Sequence, residues 1–197
     1  MRWVQHYIPV FEKRWMKYAR PIGSSWRVDV TYIRIKGKST YLYRAVDKQG
    51  RTVDFLLSEK RDIAAAKRFF IKAIENNEVP QKISLDGYEA SHRAVSELKA
   101  VGVLTFGVEV RTIKYLNNLI EQDHRRVKQR YYPMLGFKSF CNAAVTLSGT
   151  SVSAEDQERA VQHFKLEPNW SRGATGMGSS ARGVKYGLET TSALAFL

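Results

Sequence analysis

Apolar positions along the chain follow two rhythms, one after the other. Three runs rich in β-branched and aromatic residues come first, Trp26 to Ile35, Thr40 to Asp47 and Thr52 to Ser58, separated by KGK and DKQG. Such short glycine-containing connections predict an antiparallel three-strand meander. The period then changes: Ile63, Ala66, Phe70, Ala73 and Ile74 recur at helical spacing until Asn76 and Asn77 end the run. Beyond Pro80, KISLD reads as a short strand, and EASHRAVSELKAVG sets Ala94, Val95, Leu98 and Val101 on one helical face with Gly102 as the stop. A fifth strand is expected over Thr105 to Val110 and a charged helix over Leu119 to Tyr131, ended by Pro133. A further short helix is expected over Ser139 to Leu147. Ahead of the meander, Trp3, Tyr7, Phe11, Trp15 and Tyr18 alternate with charges, are interrupted by Pro9 and are closed by Pro21 and Gly23, as in a helical lead-in followed by a linker.

Three antiparallel strands, then helix, strand, helix, strand and helix, describe an α/β chain with a mixed five-stranded sheet and flanking helices. This order matches the ribonuclease H-like fold. After Gly149 the texture shifts to AEDQER and then to SRGATGMGSSARG, too rich in glycine and serine to hold a regular element. The expected organisation is a lead-in and linker over 1–22, one core domain over 23–149, and a poorly structured tail over 150–197.

Composition narrows the partners. Of 197 residues, 44% are hydrophobic and 26% charged, enough for one sizeable core. Lys and Arg total 32 against 19 Asp and Glu, for a net charge of +13 and a pI of about 9.9. Nucleic acid is the polyanion that fits best, since neutralising phosphates releases condensed counterions. A membrane partner is disfavoured, because no stretch approaches the roughly eighteen apolar residues of a spanning helix. The single cysteine, Cys141, excludes an internal disulfide and a Cys-rich zinc site. The opening MRWVQHYIPVFEKRW lacks the apolar run of a secretory signal, so a cytoplasmic location is expected.

Three acids carry the candidate chemistry. Asp29 lies inside the strand WRVDVTYIRI, where an ionised carboxylate must be paired, for example with Arg27 or Arg44, or bound to metal. Asp86 ends the fourth strand ahead of a helix; a cap would also explain it, with Glu89 three residues on completing a capping box. Glu121 stands three residues after Asn118, where a carboxylate suits the positive end of a helix. Spacing alone is weak evidence, because acids fill 19 of 197 positions. Their joint placement is stronger: in a ribonuclease H-like sheet, mid first strand, end of the fourth strand and start of the helix after the fifth converge. Three carboxylates suit two Mg²⁺ ions, with Mn²⁺ as a substitute, in an in-line phosphodiester displacement. In that arrangement Asp29 bridges both ions while Asp86 and Glu121 each complete one site.

Lys128 follows Glu121 by seven residues, which returns it to nearly the same helical face. His124 and Arg125 fall at i+3 and i+4, and Arg126 belongs to the same run. The helix therefore reads either as a set of phosphate-contacting donors beside the acids or as a solvated basic face.

The segments SWRVDVTYIRIKGK, YLYRAVDKQGRTVDFLLS, KYLNNLIEQDHRRVK and PMLGFKSF resemble the core of insertion-sequence-six family transposases over about residues 1 to 149. The residues matching that family's DDE motif are Asp29 in WRVD, Asp86 in ISLD and Glu121 in NNLIEQDHR, and the basic residue after the Glu corresponds to Lys128. The resemblance implies Mg²⁺-dependent nicking at transposon ends and attack of the released 3′-hydroxyl on target DNA. It also implies a dimer or larger complex on DNA, at the bacterial nucleoid. Val30 and Gly87 depart from the Glu and Lys common beside the first two acids, and neither is a ligand. RWVQHYIP is similar only to the last helix of the family's helix-turn-helix region, which makes 1–22 a remnant of it and raises an alternative, a non-catalytic DNA-binding or transposase-inhibiting product.

Overall fold

The computed structural model describes residues 2–15, 21–112 and 118–150. The tail expected over 150–197 therefore lies, apart from Thr150, outside the described residues. Helix α1 spans Arg2–Trp15. The meander follows as β1 (Ser25–Ile35), β2 (Lys38–Asp47) and β3 (Thr52–Ser58), then come α2 (Ile63–Asn76), β4 (Lys82–Leu85), α3 (Glu89–Ala100), β5 (Glu109–Thr112), α4 (Asn118–Tyr131) and α5 (Phe140–Thr150). No helix among the described residues is long and apolar enough to cross a membrane.

The five strands form one sheet in the order β3-β2-β1-β4-β5. β1 pairs antiparallel with β2 and parallel with β4, and β4 pairs parallel with β5. Strand alternation sorts the core onto two faces. Trp26 and Val28 of β1 pack with Phe69 and Phe70 of α2 and with Val95 and Leu98 of α3. Ile33 and Ile35 point the other way, to Val127 and Tyr131 of α4 and Ala143 and Leu147 of α5. Asp29 shares its parity with Ile33 and so belongs to the face that α4 covers.

Three expectations change. Helix α1 runs through Pro9 instead of breaking there. It packs on α5, with Ile8 against Gly149, and this tertiary contact supports a turn that lacks one amide donor. Val101 is 74% exposed rather than on the apolar face of α3. The helix stops at Ala100, the chain reverses at Gly102 (φ +81°), and Leu104, fully buried, takes the core position instead. The fifth strand begins at Glu109 rather than Thr105, because the Val108 amide donates to the Thr105 carbonyl and closes a turn. The ladder starts only where the Glu109 amide reaches the Gln81 carbonyl, at 2.9 Å.

The segment PMLGF gains a structural meaning. Phe137 forms a parallel bridge with Ile35, its amide donating to the Arg34 carbonyl at 2.9 Å. Gly136 (φ +101°) makes this possible, since a Cβ there would stand 2.9 Å from the same carbonyl oxygen.

Candidate functional site

The parallel register explains why two of the three acids meet. Val28 pairs with Leu85, so one residue further on Asp86 leaves β4 alongside Asp29. Leu85 faces the α2 and α3 layer, and alternation turns Asp86 toward the α4 side with Asp29. Glu121 arrives from α4, whose buried stripe of Ile120, His124, Val127 and Tyr131 seats the helix on that face while Glu121 stays exposed in its first turn.

Asp29 feels the other two carboxylates. Asp29 is pushed up from 3.8 to about 6, chiefly by burial and further by the charges of Asp86 and Glu121. The Val30 amide, which donates to Asp29 Oδ1 at 2.7 Å, and the Arg61 charge pull the other way. Two other strand acids show the contrast. Asp54 is held by Lys72 Nζ at 2.8 Å and Asn76 Nδ2 at 2.9 Å. Asp47 takes Arg51 Nε at 2.7 Å and the Gly23 and Gln49 amides. Both are structural acids with full sets of donors. Arg44, which opposes Asp29 across β1 and β2, sends its guanidinium to Asp123 of α4 and to Thr52 Oγ1 at 2.7 Å.

The capping explanation for Asp86 does not hold in its simple form. Helix α3 begins at Glu89 with Tyr88 preceding it and no side-chain cap. Asp86 Oδ1 instead accepts the Tyr88 amide at 3.2 Å, while Oδ2 faces Arg61 Nη2 at 3.5 Å. Glu121 does stand in the first turn of α4, where a carboxylate suits the positive helix end, and the lead-in to that helix, 113–117, lies outside the described residues.

The basic residues of α4 divide. Lys128 and Arg125 line an open pocket of about 340 Å³ together with Glu121, His124, Gln129 and Tyr132, so Lys128 does share the face of Glu121. Lys128 Nζ also lies 5.0 Å from the centre of the Tyr32 ring, a cation-π distance. Arg126 is exposed and is not among the residues lining that pocket. His124 departs from the expected row of solvent-facing donors. It is 6% exposed, and burial holds its imidazole down at about 4, so it is neutral at ordinary pH. Its Nδ1 stands 3.5 Å from Asp29 Oδ2, a polar contact rather than an ion pair. Its buried Nε2 has no hydrogen-bond partner among the described residues. Arg61 and Tyr88 were not singled out by sequence; the only local signal was the helix start at Asp62, whose carboxylate caps α2 through the Ala65 amide at 2.8 Å.

As the side chains stand, no three His, Cys, Asp or Glu among the described residues close around an ion. The donor chemistry nevertheless fits a hard divalent cation: carboxylate oxygens on one face, with Asp29 destabilised as an anion chiefly by burial and further by its acidic neighbours, a penalty that a cation would offset.

Sheet order and parity together define an α/β domain with the ribonuclease H-like fold. Solved structures agree on the fold. The HTLV-2 integrase catalytic core domain in complex with magnesium superimposes with a TM-score of 0.52 at 17% identity, covering 68% of this chain and 88% of that one. The catalytic core domain of BIV integrase gives 0.52 at 18%, covering 74% and 99%. The particular family follows from sequence: residues 23–157 match a family model described as a DDE domain, and the chain belongs to the DDE transposases of the insertion-sequence-six family. It is 40% identical over 149 residues to the transposase for insertion sequence-like element IS431mec of Staphylococcus aureus. The transposase for insertion sequence element IS257 in transposon Tn4003, from the same species, matches equally. The alignment covers 75% of this chain and 64% of each of these relatives' length.

Proposed function

We propose that this chain is a catalytic core for DNA transposition, cutting a phosphodiester at the end of a mobile element and joining the freed end to target DNA. What supports this reading is the buried Asp29, which feels the charges of both Asp86 and Glu121, within a chain of the DDE family. Cutting breaks a P–O bond by attack of a water oxygen on phosphorus, leaving a 3′-hydroxyl and a 5′-phosphate. Joining repeats the displacement, with the 3′-hydroxyl oxygen attacking a target phosphate and a target 3′-oxygen departing with a proton.

Asp29, Asp86 and Glu121 would hold two Mg²⁺, or Mn²⁺ in their place. When bound, the ions acidify the attacking hydroxyl and stabilise the leaving oxygen. The protein's own residues position the substrate. Lys128 and Arg125, beside Glu121, take backbone phosphates of the element end. Arg126, on the exposed side of α4, takes a neighbouring phosphate. His124 sits behind Asp29 as a neutral, buried neighbour and does not itself reach DNA. A dimer or larger complex brings two element ends and one target together, in the bacterial cytoplasm at the nucleoid. In this scheme residues 1–22 are a lead-in to the catalytic core of 23–149, and α1 packs on that core through α5.

Strand transfer is the test, with Mg²⁺, a preprocessed element-end duplex and a target plasmid. Asp29→Asn is expected to lower joining by more than about a hundredfold, as loss of a metal-site carboxylate should. Full joining by this variant would overturn the mechanism.

A further inference from the structure

The loop between β3 and α2 brings a cation to the acidic face. Arg61 Nη2 lies 3.5 Å from Asp86 Oδ2, and its guanidinium carbon sits 3.7 Å above the centre of the Tyr88 ring. The loop is tied down around it. Tyr88 Oη donates to the Arg61 carbonyl at 2.7 Å, Tyr43 Oη donates to the Asp62 carbonyl at 3.4 Å, and the Asp62 carboxylate caps α2. Asp86 is fixed from its own side, by the Tyr88 amide on its carboxylate and by His92 Nε2 at 2.8 Å from its carbonyl.

Arg61 is nevertheless incompletely satisfied. Its Nε is buried without a hydrogen-bond partner among the described residues, and its contact with Asp86 is longer than a charge-assisted hydrogen bond, which runs near 2.7–2.9 Å. A structural ion pair is usually tighter: Arg51 holds Asp47 at 2.6 Å here. The guanidinium is thus stacked and aimed at the acids but weakly committed to them. Parallel register places Asp29 and Asp86 side by side, and Glu121 adds a third charge from α4. Like charges so arranged need a cation to be stable together.

We propose that Arg61 is the internal counter-ion of the acidic site, resting on Asp86 when no divalent cation is bound and giving up that carboxylate when one arrives. Arg61 and the divalent ion then compete for Asp86, and Arg61 sets how much cation the site needs before it loads. Stacking on Tyr88 keeps the displaced guanidinium nearby, so the exchange requires a side-chain movement and no rearrangement of the fold.

The inference rests on the metal-site reading above, and Mn²⁺ binding to the full chain without DNA separates the two. Free Mn²⁺ is followed by electron paramagnetic resonance during titration of wild type, Arg61→Gln, Arg61→Lys and Asp29→Asn. Arg61→Gln is expected to bind about tenfold more tightly than wild type, the size of effect that one unit charge commonly has on a neighbouring carboxylate's affinity for a proton. Arg61→Lys keeps the charge but loses the planar stack, and should bind roughly threefold more tightly. In EDTA, Arg61→Gln should melt below wild type, with the gap narrowing as Mg²⁺ is added. If Asp29→Asn abolishes Mn²⁺ binding while both Arg61 variants bind no tighter than wild type, Arg61 is not the competitor. If Asp29→Asn binds as wild type does, the metal site itself is wrong and the counter-ion role falls with it.

Discussion

Asp29 differs from the other strand acids in what its burial does. Asp47 and Asp54 are surrounded by donors, whereas Asp29 shares its surroundings with two further carboxylates and a neutral imidazole. Its folded value, about 6, lies above the 3.8 of an unperturbed carboxyl, so the folded chain holds this proton more tightly than the unfolded chain does. Stability from the group is therefore complete below about 3.8 and is lost as pH rises through about 6. With divalent ions removed, Asp29→Asn should stabilise the protein at pH 8, by on the order of 2 kcal/mol after allowance for residual solvent contact, and should change little at pH 4. Thermal melts in EDTA across that range check the sign; a variant less stable than wild type at pH 8 would contradict it. His124 does not offset this penalty, because an imidazole held down at about 4 carries no charge there.

Helix α4 delivers Glu121 and Lys128 to the site, and one buried pair fastens it to the sheet. Arg44, 0% exposed on β2, binds Asp123 through both Nε and Nη2, and Nη2 also reaches Thr52 on β3. Removing a partner of a buried pair strands the other charge, at about 3–5 kcal/mol. Asp123→Ala should cost about that much in urea unfolding, and should lower strand transfer even in the fraction that remains folded, because α4 loses its anchor beside Asp29. Destabilisation below about 1 kcal/mol would mean that the apolar stripe of Ile120, Val127 and Tyr131 seats the helix without help from the pair. Gly136 has a comparable role for the following segment, where backbone approach to Arg34 leaves no room for a side chain.

At the scale of the whole chain, the excess of Lys and Arg over acids, net +13, is the dominant long-range property. Proposed contacts to the DNA backbone make binding steeply dependent on salt. If about four phosphates are neutralised, affinity for duplex DNA should fall roughly a hundredfold between 50 and 200 mM salt. Filter binding or anisotropy across that range measures the slope, and a flat response would remove the electrostatic basis for DNA binding. The charge is oriented as well as abundant, since Arg125 and Lys128 line the pocket that Glu121 helps to form.

Period and punctuation in the sequence were enough to determine the three-strand meander, the α2 and α3 helices, the two-faced sheet and the positions of Asp29, Asp86 and Glu121 on their elements. Those features depend on local preferences and on which side of a strand or helix each residue faces. What the residues touch was decided only by packing. The parallel register that carries Asp86 beside Asp29, the burial that makes His124 a neutral neighbour, the engagement of Arg44 with Asp123, and the Arg61 guanidinium between Tyr88 and Asp86 all join segments far apart in the chain. The start of β5 and the exposure of Val101 were hidden for a related reason, because turn hydrogen bonds, not apolar pattern, set where those elements begin and end. Periodicity reports the face a residue occupies, while its charge state and partners depend on the solvent excluded when elements distant in sequence close over it.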